Sequence, residues 1–142
     1  MPTSLVRILV VDDFEPWRRQ ICSLLQTRPE LHVIAEAGDG LEAVQKATEL
    51  QPDLILLDIG LPKLNGIEAS HQISILVPSA TILFVSQQND ADMTEALSNG
   101  ARGYVRKENA RKDLLPAVEA VLRGDHFLSR GLHAEELPQA KI

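Results

Sequence analysis

The chain has 142 residues, a length that suits one domain, and its 44% hydrophobic and 24% charged residues are the balance of a folded protein. With 14 basic and 20 acidic residues the net charge is −6, which argues against nonspecific nucleic-acid binding by this chain. The one cysteine, Cys22, excludes an internal disulfide and a thiolate zinc cage, and the apolar runs are far too short to span a bilayer.

Leu5–Val11 opens the chain as a strand, and its Ile8–Val11 stretch is continuously apolar, as in strands covered on both faces. A helix begun near Pro16 follows, with Trp17, Ile21, Leu24 and Leu25 on one stripe. His32–Ala37 mixes polar and apolar residues and reads as an edge strand. After the Gly38-Asp39-Gly40 turn, Leu41, Val44, Ala47 and Thr48 mark the stripe of a second helix. Leu54–Leu57 is again wholly apolar, an inner strand. Asn65-Gly66 opens a third helix through Ile67 and Ile73, which stops before Pro78. Thr81–Val85 is the fourth strand, and Asp90 caps a fourth helix carrying Met93, Ala96 and Leu97 as far as Asn99-Gly100. Arg102–Val105 reads as the other edge. A fifth helix carries Leu114, Val118, Val121 and Leu122 and ends at Gly124; Pro116 within it calls for a late start or a bend. Residues 125–142 show no core pattern and read as a tail or the start of a linker.

Right-handed crossovers joining these units build a doubly wound (βα)5 α/β fold. Its ligand crevice is expected at the carboxyl ends of the strands, where the winding direction switches. Asp12 and Asp13 stand after strand one, Asp58 after strand three, Ser86 after strand four, and Lys107 after strand five. Singly, each has a plain explanation as a turn former, a loop hydroxyl or a solvated charge. Together they are a site. Three converging carboxylates must protonate or hold a cation, and oxygen-only ligands at an open site suit Mg2+. Lys107 and Ser86 would supply a charge and a donor for an incoming anion. Elsewhere Cys22 reads as a small core residue and Trp17 as packing. His32, His71, His126 and His133 show no metal-ligand spacing, and Arg102, Arg106, Arg111 and Lys112 read as a solvated face.

The runs Val10-Val11-Asp12-Asp13, Leu57-Asp58-Ile59-Gly60-Leu61-Pro62 with Asn65-Gly66, Val85-Ser86 and Gly100–Lys107 resemble the receiver domain of two-component response regulators. Spacings of 45 from Asp13 to Asp58, 28 to Ser86 and 21 to Lys107 suit that family. Within it, Gly100–Lys107 and Gly124–Ser129 are most similar to NarL/FixJ-type receivers, which usually precede a helix-turn-helix domain. The resemblance covers residues 5–123, leaving 124–142 as tail or linker. It implies a flavodoxin-like sandwich on a five-stranded parallel sheet of order 2-1-3-4-5.

It further implies Asp58 as phosphoacceptor from a sensor histidine kinase or phosphotransfer protein. Asp13 would bind Mg2+ directly, Asp12 through water or by orienting ligands, with Asp58 and the Gly60 carbonyl completing the protein ligands. Ser86 would hydrogen-bond the phosphoryl group, Lys107 would pair with it, and Tyr104 would be the aromatic switch. The implied partners are the phosphodonor and, through the helix 4–strand 5–helix 5 face, a second copy of the chain; no nucleic acid and no membrane are expected for this chain, which reads as cytoplasmic because Met1–Ser4 opens no signal peptide. A stand-alone receiver and a fragment of a transcription factor both remain open, since 19 residues follow Arg123, too few for a DNA-binding domain. Two enzyme readings are weaker. A haloacid-dehalogenase-type phosphatase would need a second Asp two residues after its nucleophile, where Asp58 has Gly60. A nucleotide-binding fold would need glycines in Asp12–Pro16.

Overall fold

In the computed structural model, which describes residues 5–87, 90–98 and 100–129, strands and helices alternate through most of the chain. They are β1 (Val6–Val11), α1 (Glu15–Leu25), β2 (Leu31–Ala37), α2 (Gly40–Leu50), β3 (Leu54–Leu57), α3 (Gly66–Leu76), β4 (Thr81–Ser86), α4 (Asp90–Ser98), β5 (Gly103–Arg106), a 3-10 turn (Lys107–Asn109), α5 (Ala110–Leu122) and β6 (Phe127–Leu128). All strand pairings are parallel, in the order β2-β1-β3-β4-β5-β6. The expected order 2-1-3-4-5 is therefore present, with one strand added.

Residues 125–142 show no core pattern in sequence and read as a tail or the start of a linker, yet Phe127–Leu128 within them form this sixth strand. Phe127 and Leu128 pair with Gly103 and Tyr104, and Ser129 is 1% exposed. A two-residue strand is too short to leave an alternating pattern in sequence, so only its tertiary pairing reveals it. It also removes β5 from the sheet edge: Gly103, Tyr104 and Val105 are buried.

Side chains alternate between the two faces of the sheet, as the strand period of two demands. Leu9, Val11, Ile55, Leu57, Phe84 and Tyr104 face one core with residues of α2, α3 and α4. Ile8, Val10, Leu54, Leu56, Leu83, Val85 and Val105 face the other with α1 and α5. Two layers of helix on one sheet thus account for the wholly apolar inner strands.

The helix starts follow local chemistry. Asp39 Oδ1 accepts from Glu42 N at 2.8 Å and Asn65 Oδ1 from Glu68 N at 3.0 Å, capping α2 and α3. Gly100 and Gly124 take positive φ just beyond α4 and α5. Helix α5 starts early, at Ala110, and runs through Pro116, so the late start is excluded. On α2 the expected stripe is rotated. Leu41 is 54% exposed, whereas Gly40, Ala43 and Ala47 are buried. Asn99 and His133 lie outside the described residues, as does the side chain of Met93 and that of Asp90, the first residue of α4.

Candidate functional site

The chain turns outward from β1 to β2 and then returns to the other side of β1 to lay down β3, so the switch point lies between β1 and β3. Asp12 follows β1 and Asp58 follows β3. Their backbones are tied into the sheet ends, Asp12 N to Ala37 O at 3.0 Å and Asp58 N to Val11 O at 3.1 Å. Both side chains are nearly buried, while Asp13 is exposed. One carboxylate oxygen from each of Asp12, Asp13 and Asp58 lies within 4.8 Å of the others.

Two further strand ends complete the group. Ser86, fully buried at the end of β4, donates its hydroxyl to Asp58 Oδ1 at 2.8 Å. Lys107, just after β5, places Nζ 3.0 Å from Asp58 Oδ2 and 2.7 Å from Asp12 Oδ2. All five strand-end residues expected from sequence are thus brought together. Gly60 lies exposed two residues past Asp58, in a loop pinned by Gly66 N and Leu61 N, which both donate to Ile59 O. Tyr104 is 1% exposed and packs against Phe84, with ring centroids 6.4 Å apart.

The electrostatics are those of crowded acids around one cation. Burial raises the Asp12 carboxyl above its ordinary value, and the Asp58 charge adds to this; the Lys107 hydrogen bond and the Phe14 N–H oppose it. Burial by itself would lower Lys107. The hydrogen bonds and charges of Asp12 and Asp58 outweigh that and leave its ammonium held above the usual lysine value. Cys22 is pushed up to about 11, by burial first and then by Glu36, against the pull of Arg18; it is no thiolate nucleophile at neutral pH.

Two residues of α1 reach the site although the sequence reading gave them no role in it. Arg18 donates from Nη1 to Asp12 O at 2.7 Å and from Nε to Glu36 at 2.9 Å, tying the loop after β1 to β2. Trp17 lies under Lys107, with Nζ 5.6 Å from its ring centroid. The available signal was their place one turn beyond Asp12-Asp13; nothing in the apolar stripe marks it.

Comparisons with known proteins agree with this architecture. A family model described as the response regulator receiver domain matches residues 8–119. The chain is 38% identical over 138 residues to the transcriptional regulatory protein LnrK of Bacillus subtilis (strain 168), covering 96% of this chain and 63% of that protein. It is 36% identical over 121 residues to the response regulator protein VraR of Staphylococcus aureus (strain Mu3 / ATCC 700698), covering 84% of this chain and 58% of that one. The chain therefore spans little more than half the length of these relatives. Among solved structures, a LuxR-family two-component response regulator from Aurantimonas sp. SI85-9A1 has a TM-score of 0.87 at 35% identity, covering 97% of this chain and 99% of that chain. The signal receiver domain of the NarL response regulator from Mycobacterium tuberculosis has a TM-score of 0.80 at 26% identity, covering 86% and 99%. The matched span, the sheet order and these likenesses lead to one conclusion: the chain belongs to the response regulator receiver family.

Proposed function

We propose that Asp58 is the phosphoacceptor of this receiver, loaded from a sensor histidine kinase or phosphotransfer protein with the help of Mg2+. The observation that carries this reading is the double engagement of the Asp58 carboxylate by Ser86 and Lys107, beside Asp12 and Asp13. A carboxylate oxygen of Asp58 attacks the phosphorus of a phosphohistidine. A P–O bond forms, the P–N bond breaks, and the electron pair leaves with the imidazole nitrogen. Charge spread over the phosphoryl oxygens in the transition state is met by donors already in place, the Lys107 ammonium and the Ser86 hydroxyl. The product is a stoichiometric modification rather than a turnover product.

The donor set fits the proposed ion. Three carboxylates against one ammonium, all oxygen ligands and one of the acids open to solvent, suit a hard divalent cation that keeps part of its water. Asp13 would bind directly, Asp12 through water or as an orienting group, and Asp58 and the Gly60 carbonyl would complete the protein ligands. When bound, Mg2+ supplies a counter-charge for the phosphoryl oxygens.

Ser86 and Tyr104 are the proposed switch pair. Ser86 already rests on Asp58 and Tyr104 is already buried, so a phosphoryl group would take over the Ser86 donor and favour this arrangement over others. Reversing a 1:99 population takes about 5.5 kcal/mol, within reach of several charge-assisted hydrogen bonds. The face of α4, β5 and α5 is the surface proposed to respond, with a second copy of the chain as its partner. The relatives named as transcriptional regulators support a transcriptional output, and a cytoplasmic setting goes with it. Among the described residues no helix is long and apolar enough to cross a membrane.

Incubation with acetyl phosphate and Mg2+ should give one acid-stable, alkali-labile phosphoryl group per chain, absent from Asp58→Asn. Label persisting at the wild-type level in that variant contradicts the assignment.

A further inference from the structure

Among the described residues the Lys107 ammonium contacts two acids and one aromatic ring. Its Nζ bridges Asp12 and Asp58, and the third contact is the face of Trp17, the one tryptophan of the chain. Trp17 stands in the first turn of α1, its backbone N–H donates to Phe14 O at 3.1 Å, and its ring packs partly buried on the core under α1 and α5. The indole is thus carried by the helix that begins two residues past Asp13.

A divalent cation entering the cluster competes with the Lys107 ammonium for the two carboxylates. The flexible four-carbon stem then lets the ammonium turn toward water, the indole face or an incoming phosphoryl oxygen. An indole attracts a cation through its ring quadrupole, more strongly where water is partly excluded, and the Lys107 side chain is only 15% exposed. We propose that Trp17 is a positioning residue for Lys107, its ring face keeping the ammonium at the rim of the site, poised to pair with the phosphoryl oxygens. This rests on the reading of Asp58 as phosphoacceptor. It assigns a task to a residue that the apolar pattern describes only as packing.

The test separates geometry from packing and from the chemistry. Side-chain NMR of the full chain should show the Lys107 Hε protons shifted upfield by the indole ring current, both alone and with Mg2+ and beryllofluoride. The shift should shrink in Trp17→Phe and vanish in Trp17→Leu. Acetyl phosphate, too small to depend on a docking surface, should label Trp17→Leu about three- to tenfold more slowly than wild type, with Trp17→Phe between them. Unshifted Hε protons in the wild type overturn the proposal. So does equal labelling of Trp17→Phe and Trp17→Leu, because packing alone would then account for the loss. A wild-type protein that shows the ring-current shift but takes no label would strike the phosphoacceptor reading, and this inference with it.

Discussion

Gln87 follows Ser86 directly and its side chain is exposed, one residue from the hydroxyl that holds Asp58. Receivers that this chain resembles usually carry a small residue here, often Ala. A long amide beside the acceptor can obstruct a phosphodonor or add a hydrogen bond to the phosphoryl group. Obstruction should dominate, because Lys107, Ser86 and Mg2+ would already serve the phosphoryl oxygens in the proposed mechanism. Gln87→Ala is therefore expected to be labelled several-fold faster by acetyl phosphate, each tenfold being about 1.4 kcal/mol of barrier. An equal or slower rate would mean that Gln87 assists the transfer or points away. The neighbouring Gln88 lies outside the described residues. The gathering of Asp12, Asp13, Asp58, Ser86 and Lys107 was legible in the sequence, since a residue that ends a parallel strand needs only the sheet order to be placed. The contact of Trp17 with Lys107 was not. It depends on α1 packing beside the turn after β5, and no local pattern encodes a meeting between segments so far apart in the chain.

At the scale of the element, the start of α3 decides the shape of the loop that carries Asp58. A Cβ on Gly66 would fall 1.9 Å from the carbonyl oxygen of Asp58, a backbone atom that cannot swing aside. Gly66→Ala must push the loop away from β3, costing about 2 kcal/mol or more by overpacking. Thermal unfolding should show a midpoint lower by on the order of 10 °C, with slower labelling because the displaced backbone is that of Asp58, the proposed acceptor. A midpoint within about 2 °C of wild type would contradict the close approach. The same kind of contact explains the rotated face of α2. A Cβ on Gly40 would lie 1.8 Å from Leu64 O, so small residues must face inward there. The sequence stripe correctly included Ala47, but apolar size also pointed to Leu41, whereas the space available under α2 selected Ala43. Caps were easier to read, because Asp39 and Asn65 satisfy amides only three residues away.

Over the whole molecule, two helical layers on one parallel sheet leave the strand ends as the one place where several polar side chains can converge without breaching a core. The apolar runs of β1, β3 and β4 made that architecture readable, and it brings Asp12 and Asp58 to adjacent strands at the switch point. The sixth strand was beyond reach of pattern, yet it ties the chain after α5 to β5, the strand that carries Tyr104. Ser129 N donates to Tyr104 O at 2.9 Å, and Ser129 Oγ accepts from Arg106 N at 3.0 Å and donates to Asp113 at 2.8 Å. Tyr104, the proposed switch residue, is thus joined to the last described residue of the chain at the β5–β6 side of the sheet, two strands away from Asp58 at the end of β3. Phosphoryl transfer to Asp58 is tested by trapping its product. Protein phosphorylated with acetyl phosphate and Mg2+ is reduced with borohydride, which converts an aspartyl phosphate to homoserine, and then digested and sequenced by mass spectrometry. Homoserine is expected at position 58 and at no other aspartate; homoserine at Asp12 or Asp13, or aspartate retained at 58 in labelled protein, would contradict Asp58 as the phosphoacceptor.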